Sequence, residues 1–295
     1  MFEGVTVALV TPFSKGEADY DKVRELVGWH IRQGTNAVLP CGTTGESPTL
    51  SHEEHEKVID VTVEAAGGKI KVLAGTGSNS TEEALRLTRH AAKAGADGVL
   101  LVVPYYNKPT QEGIYRHFKT VAGAVDVPVI LYNIPGRTGV NMATETICRL
   151  AEVDNIIGVK EATGSIDNTS AILADPKGKR LIILSGDDSL TLPIMSVGGK
   201  GVISVVANIV PKDVRAMCDA YTGGDVAKAT KIHLKLFDLC RAMFIETNPI
   251  PIKTAMRMMG MIGNELRLPL CEMAAANEAK LEKVMMDYEL LKRAR

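Results

Sequence analysis

The stretch TEEALRLTRHAAKAGADGVLLVVPYY, residues 81–106, holds two periodicities back to back. Over 81–95 the apolar residues recur at steps of three and four and the run ends in glycine, as an amphipathic helix does. From Gly98 onward the chain is continuously apolar for six residues before it meets Pro104, Tyr105 and Tyr106. A strand that does not alternate is buried on both faces, which is the condition of a parallel sheet covered by helices. The same couplet recurs along the chain. Strands are expected near 5–10, 37–42, 71–77, 98–106, 128–135, 156–163, 181–188 and 201–208, with helical segments such as YDKVRELVGWHIRQG (20–34) between them. Eight such units predict an α/β protein, a (β/α)8 TIM barrel. A doubly wound open sheet is the competing architecture, but GTGSNS (75–80) lacks the third glycine of a dinucleotide-binding turn. After YTGGD (221–225) only helical patterning remains. The expected organisation is therefore a catalytic barrel over 1–222 and a C-terminal helical appendage over 223–295.

The totals narrow the function. The chain has 295 residues, a formal net charge of −1, 45% hydrophobic and 23% charged residues, which is the profile of an ordinary globular protein. Interspersed charge gives no basic face for nucleic acid and no polybasic segment for membrane. The first residues carry no cationic leader pattern and no apolar run is long enough to span a bilayer, so the expected location is cytoplasmic. Cys41, Cys148, Cys218, Cys240 and Cys271 show no CxxC spacing and read as buried, reduced thiols rather than a disulfide or zinc framework. AMRMMGMIG (255–263) reads as core packing rather than an adaptable binding surface.

In a barrel of this kind the chemistry collects at the C-terminal ends of the strands. Those ends are CGTTGES (41–47), PYYN (104–107), YNIPGRTG (132–139), VKEATG (159–164) and SGDD (185–188). Strand alternation puts Ile130, Tyr132 and Ile134 on one face of the fifth strand, and Gly158, Lys160 and Ala162 on one face of the sixth. If these faces point inward, Tyr132 and Lys160 share a space while Glu161 points away. A lone lysine in an apolar setting either joins a structural ion pair or serves as a nucleophile whose pKa desolvation has lowered. In the second case a nearby tyrosine can carry the protons that carbinolamine formation and dehydration require. GTTGE (42–46) is either an ordinary strand-to-helix turn or a nest for a carboxylate or phosphate. Ser51 and Glu54 open the next helix as a capping box. Arg137 has the planar fork that suits a carboxylate. His52 and His55 stand three apart, not four as in HExxH, and no third ligand is in view, so no metal is expected. Asp187 and Asp188 read as turn chemistry.

Taken in order, GTTGES, PYYNKPTQEG, YNIPGRTG, GVKEATG, LSGDD, GVISV and NPIPIK make the chain resemble the dihydrodipicolinate synthase family over essentially its whole length. The resemblance implies a lyase of lysine and diaminopimelate biosynthesis in which Lys160 forms a Schiff base with pyruvate. Tyr132 and Thr43 would relay protons, joined by Tyr106 donated from a neighbouring subunit. Thr43 and Thr44 would hold the pyruvate carboxylate, Arg137 the carboxylate of aspartate semialdehyde, and backbone groups of Gly186 and Ile203 would line the pocket. It implies no metal or organic cofactor and a homotetramer built as a dimer of dimers. Lysine-inhibited members bind their effector at positions that match Ser47, Pro48, His52, His55, Asn79, Glu83 and Tyr105; Pro48 stands where alanine often occurs. Sister enzymes that cleave N-acetylneuraminate or keto-deoxy sugar acids share the lysine and tyrosine, and Arg137 argues against them. A phosphosugar aldolase and a non-enzymatic ligand-binding barrel are the remaining alternatives.

Overall fold

The computed structural model describes residues 2–291. Among these residues eight parallel strands close on themselves: β1 (Gly4–Ala8), β2 (Ala37–Leu39), β3 (Lys71–Gly75), β4 (Gly98–Val102), β5 (Val129–Asn133), β6 (Ile156–Glu161), β7 (Ile182–Ser185) and β8 (Gly201–Ser204). Each pairs with its sequence neighbours and β8 closes against β1. The expected barrel is therefore present, and all eight expected strands are found. The ends of the two predicted regions, residue 1 and residues 292–295, lie outside the described residues.

The continuous apolar strands are explained by two separate packing layers. Alternate residues face the barrel interior, where Ala8, Leu39, Leu73, Leu100, Ile130, Tyr132, Leu184 and Ile203 form a cluster of their own. The intervening residues, such as Val7, Val38, Val99, Leu131 and Val159, pack outward against the helices. Phe2 plugs the lower end of the interior, and Gly98 leaves the room for it: a Cβ there would lie 2.8 Å from the ring. The helix α1 (Tyr20–Gln33) is capped by Asp19, whose side chain accepts from Lys22 N, and ends at Gly34 in the left-handed region at φ +76°. That conformation is the usual reason for glycine at a helix end. The helix α2 (His52–Ala66) opens with the full capping box of Ser51 and Glu54.

Two details depart from the sequence reading. The first strand ends at Ala8 rather than Val10, and a small antiparallel hairpin, Phe13–Ser14 with Glu17–Ala18, follows it. Cys271 is exposed, because it lies in the irregular segment that precedes the last helix, whereas Cys41, Cys148, Cys218 and Cys240 are buried free thiols. The methionine run reads as it should: Met256 is fully buried and Met258, Met259 and Met261 pack against the core.

Beyond residue 222 come three helices, Val226–Ala242, Ile250–Met258 and Ala275–Asp287. They are not a detached unit. Lys253, Arg267 and Asn248 all reach back into the loop that follows β2. No helix among the described residues is long and apolar enough to cross a membrane.

Candidate active site

β5 and β6 are joined in register so that Tyr132 lies beside Lys160, and Lys160 beside Leu184 of β7. Both side chains face the interior, as strand alternation requires, and the Lys160 Nζ sits 4.1 Å from the centre of the Tyr132 ring. Glu161 points the other way. Its carboxylate accepts from Thr163 N at 2.8 Å and from Asn168 Nδ2 at 2.7 Å, so it does not pair with Lys160. Lys160 is only 6% exposed. Burial lowers its ammonium to a pKa of about 8, Arg137 acts in the same direction, and Asp187 and Asp188 resist. A buried amine gains from losing its charge, and here the opposing carboxylates do not cancel that gain. Burial pushes the Tyr132 phenol up to about 12, with Arg137 and the Thr43 hydroxyl acting against it. The phenol is thus protonated and able to donate near neutral pH.

Gly186 borders the same space. A Cβ at that position would lie 2.6 Å from the Ala162 Cβ and 3.3 Å from the Lys160 Cε. Glycine therefore keeps open the volume through which the lysine extends. Ile203 is buried in the interior cluster. Asp188 accepts from Val205 N and Val206 N at 2.9 and 3.0 Å, a bridge to the loop after β8 rather than the local turn chemistry the sequence suggested.

The loop after β2 is strained and held from behind. Cys41 and Glu46 lie at φ +56° and +53°, a region costly for residues with a Cβ unless the surroundings impose it. The N–H groups of Gly45, Glu46 and Ser47 close the turn on the carbonyls of Gly42 and Thr43, which leaves Thr43 and Thr44 as the loop's candidates for a bound anion. The Glu46 carboxylate, fully buried, pairs with Lys253 Nζ at 2.5 Å and accepts from Arg267 N at 3.2 Å. Arg267 also forks onto both oxygens of Glu54 at 2.6 Å. Asn248 Nδ2 donates to Thr44 Oγ1 at 3.0 Å, and the Asn248 carbonyl accepts from Arg137 Nη2 at 3.2 Å. Sequence reasoning missed Asn248, Lys253 and Glu46. The signal that exposed Lys160, a lone lysine in an apolar run, is repeated in IPIKTAM (250–256).

A cavity of about 600 Å³ opens above these residues, lined by Thr43, Tyr132, Arg137 and Lys160, and it continues outward past Ser47, Pro48, His52, His55, Glu83 and Tyr105. The residues matched to an effector site thus gather at its outer end. His52 Nε2 lies 2.5 Å from Glu83 Oε1, and Ser78 Oγ donates to Glu83. Burial lowers His55 to a pKa of about 4 and raises that of Tyr105, with Glu83 adding to the rise. Asn79, whose carbonyl accepts from Asn107 Nδ2, flanks this group without lining the cavity. Tyr106 stands apart from all of them. It is 88% exposed, its φ is +70°, and its N–H donates to Thr138 O at 3.4 Å. Among the described residues no group of three or more His, Cys, Asp or Glu side chains is arranged to hold a metal ion.

Fold and site together define a (β/α)8 barrel with a buried lysine at the end of its sixth strand, where burial outweighs the nearby carboxylates. The chain belongs to the Dihydrodipicolinate synthetase family, which matches residues 1–287. It is 56% identical over 291 residues to the 4-hydroxy-tetrahydrodipicolinate synthase of Geotalea daltonii, covering 99% of this chain and 100% of that one. Among solved structures it is similar to the chloride-inhibited dihydrodipicolinate synthase of Acinetobacter baumannii complexed with pyruvate, with TM-score 0.96, 44% identity, and 99% and 100% of the two chains covered. The lysine-bound enzyme of Cyanidioschyzon merolae gives TM-score 0.94 at 43% identity, covering 98% and 99%.

Proposed function

We propose that this protein is a 4-hydroxy-tetrahydrodipicolinate synthase, a lyase that condenses pyruvate with aspartate 4-semialdehyde on the route to diaminopimelate and lysine. The observation that carries the reading is Lys160: a buried amine of pKa about 8 beside a protonated phenol. At pH 7 roughly a tenth of such a group is free amine, against well under ~0.1% of an ordinary lysine. Lys160 attacks the keto carbon of pyruvate, the carbinolamine loses water, and an iminium results. Loss of a methyl proton gives the enamine, which adds to the aldehyde carbon of the second substrate. The amine of that substrate then displaces Lys160, closing the ring and freeing the enzyme, with one water released overall.

In this reading Tyr132 and Thr43 move the protons of carbinolamine formation and dehydration. Tyr106, exposed on the isolated protomer, completes the relay in a neighbouring subunit of a homotetramer, a dimer of dimers. Thr43 and Thr44 receive the pyruvate carboxylate, Arg137 that of the semialdehyde, and Gly186 and Ile203 contribute backbone. Ser47, Pro48, His52, His55, Asn79, Glu83 and Tyr105 bind lysine as a feedback inhibitor. A cytoplasmic location and a division into a barrel of 1–222 and a helical region of 223–295 complete the proposal. The test is pyruvate consumption by the purified protein with and without aspartate semialdehyde. Consumption that requires the semialdehyde supports the assignment. A borohydride-trapped pyruvate adduct without such consumption would move the enzyme to a sister aldolase.

A further inference from the structure

We infer that Asn248 is a positioning residue whose side chain sets the donor direction of the Thr44 hydroxyl, while its main-chain carbonyl separately holds Arg137. This inference rests on the function proposed above. Asn248 is buried and uses two different parts of itself. Its side-chain Nδ2 donates to Thr44 Oγ1 at 3.0 Å, and its main-chain carbonyl accepts from Arg137 Nη2 at 3.2 Å. A carboxamide has two donors and an acceptor to satisfy. Yet Oδ1 has no hydrogen-bond partner among the described residues. Burying an amide for one side-chain bond is a poor way to gain stability, and an apolar residue would pack there at less cost.

The bond does something else. Thr44, itself buried, receives an N–H on its oxygen, so its own O–H proton must point elsewhere. An anion can be held only by donors. A threonine whose oxygen already accepts from Asn248 is therefore biased to turn its own donor away from Asn248, which on the function proposed above is toward the pyruvate carboxylate. Two further bonds keep the arrangement rigid. Lys253, five residues on, pairs with Glu46 at the far end of the same loop, and its Nζ also donates to the Thr11 carbonyl at 3.0 Å.

The test uses the full-length protein and two variants. Asn248→Asp replaces the donor by an acceptor of the same shape, which would draw the Thr44 proton away from the site. Asn248→Ala removes the donor without burying a charge. Trapping of pyruvate by borohydride needs no semialdehyde and isolates the Thr44 side. The main-chain carbonyl survives both changes and keeps Arg137 in place. We expect half-saturating pyruvate for trapping to rise about tenfold in Asn248→Asp, equal to about 1.4 kcal/mol, with a smaller rise in the same direction for Asn248→Ala. Trapping at saturating pyruvate should still reach completion, and the KM for the semialdehyde should change much less. Unchanged half-saturation in both variants overturns the inference. So does an equal loss for both substrates accompanied by a lower melting temperature, which would make Asn248 merely structural. A parent protein that traps no pyruvate overturns the proposed function itself, and that result is distinct from either of the others.

Discussion

Tyr132 and Lys160 occupy adjacent strands at the same register, with the ammonium nitrogen 4.1 Å from the centre of the phenol ring. Burial makes a lysine in this setting lose its proton near pH 8, well below the ordinary lysine range. The rate should follow. The pH profile of kcat/KM for pyruvate should rise through an apparent pKa near 8 and level off above it. A limb that still climbs at pH 10 would show that Lys160 is an ordinary solvated ammonium.

Stability should depend on pH through the same group. In the unfolded chain Lys160 holds its proton up to about 10.4, whereas in the folded protein it holds it only to about 8. The folded state therefore binds fewer protons between these values, and stability rises with pH across that window. Below pH 8 the penalty is complete, at about 3 kcal/mol. Lys160→Met should therefore abolish adduct formation while raising the melting temperature at pH 7 by several degrees. A variant that is inactive and also less stable would contradict this.

Tyr106 offers the opposite case. Because it is 88% exposed on the protomer, Tyr106→Phe should leave the protomer fold and its melting behaviour intact. Loss of the phenol from a proton relay should lower kcat by about 100-fold. Normal turnover in the variant would remove Tyr106 from the mechanism.

The outer end of the cavity leads to a fourth test. Glu83 is held below the usual carboxylate range by the Ser78 hydroxyl and then by His52, so it remains an anion able to receive an ammonium. Millimolar lysine should inhibit the enzyme, and Glu83→Gln should lose that sensitivity while keeping its turnover. Activity indifferent to lysine in the parent protein would refute the effector site.

The buried pair of Lys253 and Glu46 should matter for stability. Both side chains are almost wholly excluded from solvent, at 2% and 0%. Removing one partner strands the other charge, which costs about 3–5 kcal/mol. Lys253→Met should lower the melting temperature by about 10 °C, and adding Glu46→Gln should restore part of the loss. Thermal unfolding of the single and double variants decides it.

The barrel was legible because its strands are short, continuous apolar runs between glycine-ended amphipathic helices, and both features are local. Tyr132 and Lys160 could be paired from alternation alone, since a period of two leaves no choice of face once the interior is known. The Phe13–Ser14 hairpin was not legible: strands of two residues carry no periodicity. Asn248, Lys253 and Glu46 were missed for a different reason. Their partners lie 204 and 207 residues away in the chain, and no pattern within a window can reveal a bond of that span. Tyr106 shows the limit most plainly. Nothing in its strand-end position distinguishes a packing ring from one that stands in solvent, and only its left-handed backbone and exposure do so.

The long reach of Lys253 also orders events in time. A ribosome delivers the chain from its N-terminus, and all eight strands have been made once Ser204 is added. The strands that carry Tyr132 and Lys160 thus come before the side chains that stand behind the turn of Thr43 and Thr44. Its braces, Asn248, Lys253 and Arg267, are translated only after the last strand is complete. The residues that build the barrel and its reactive amine therefore precede, in order of synthesis, the residues that set the anion-binding turn.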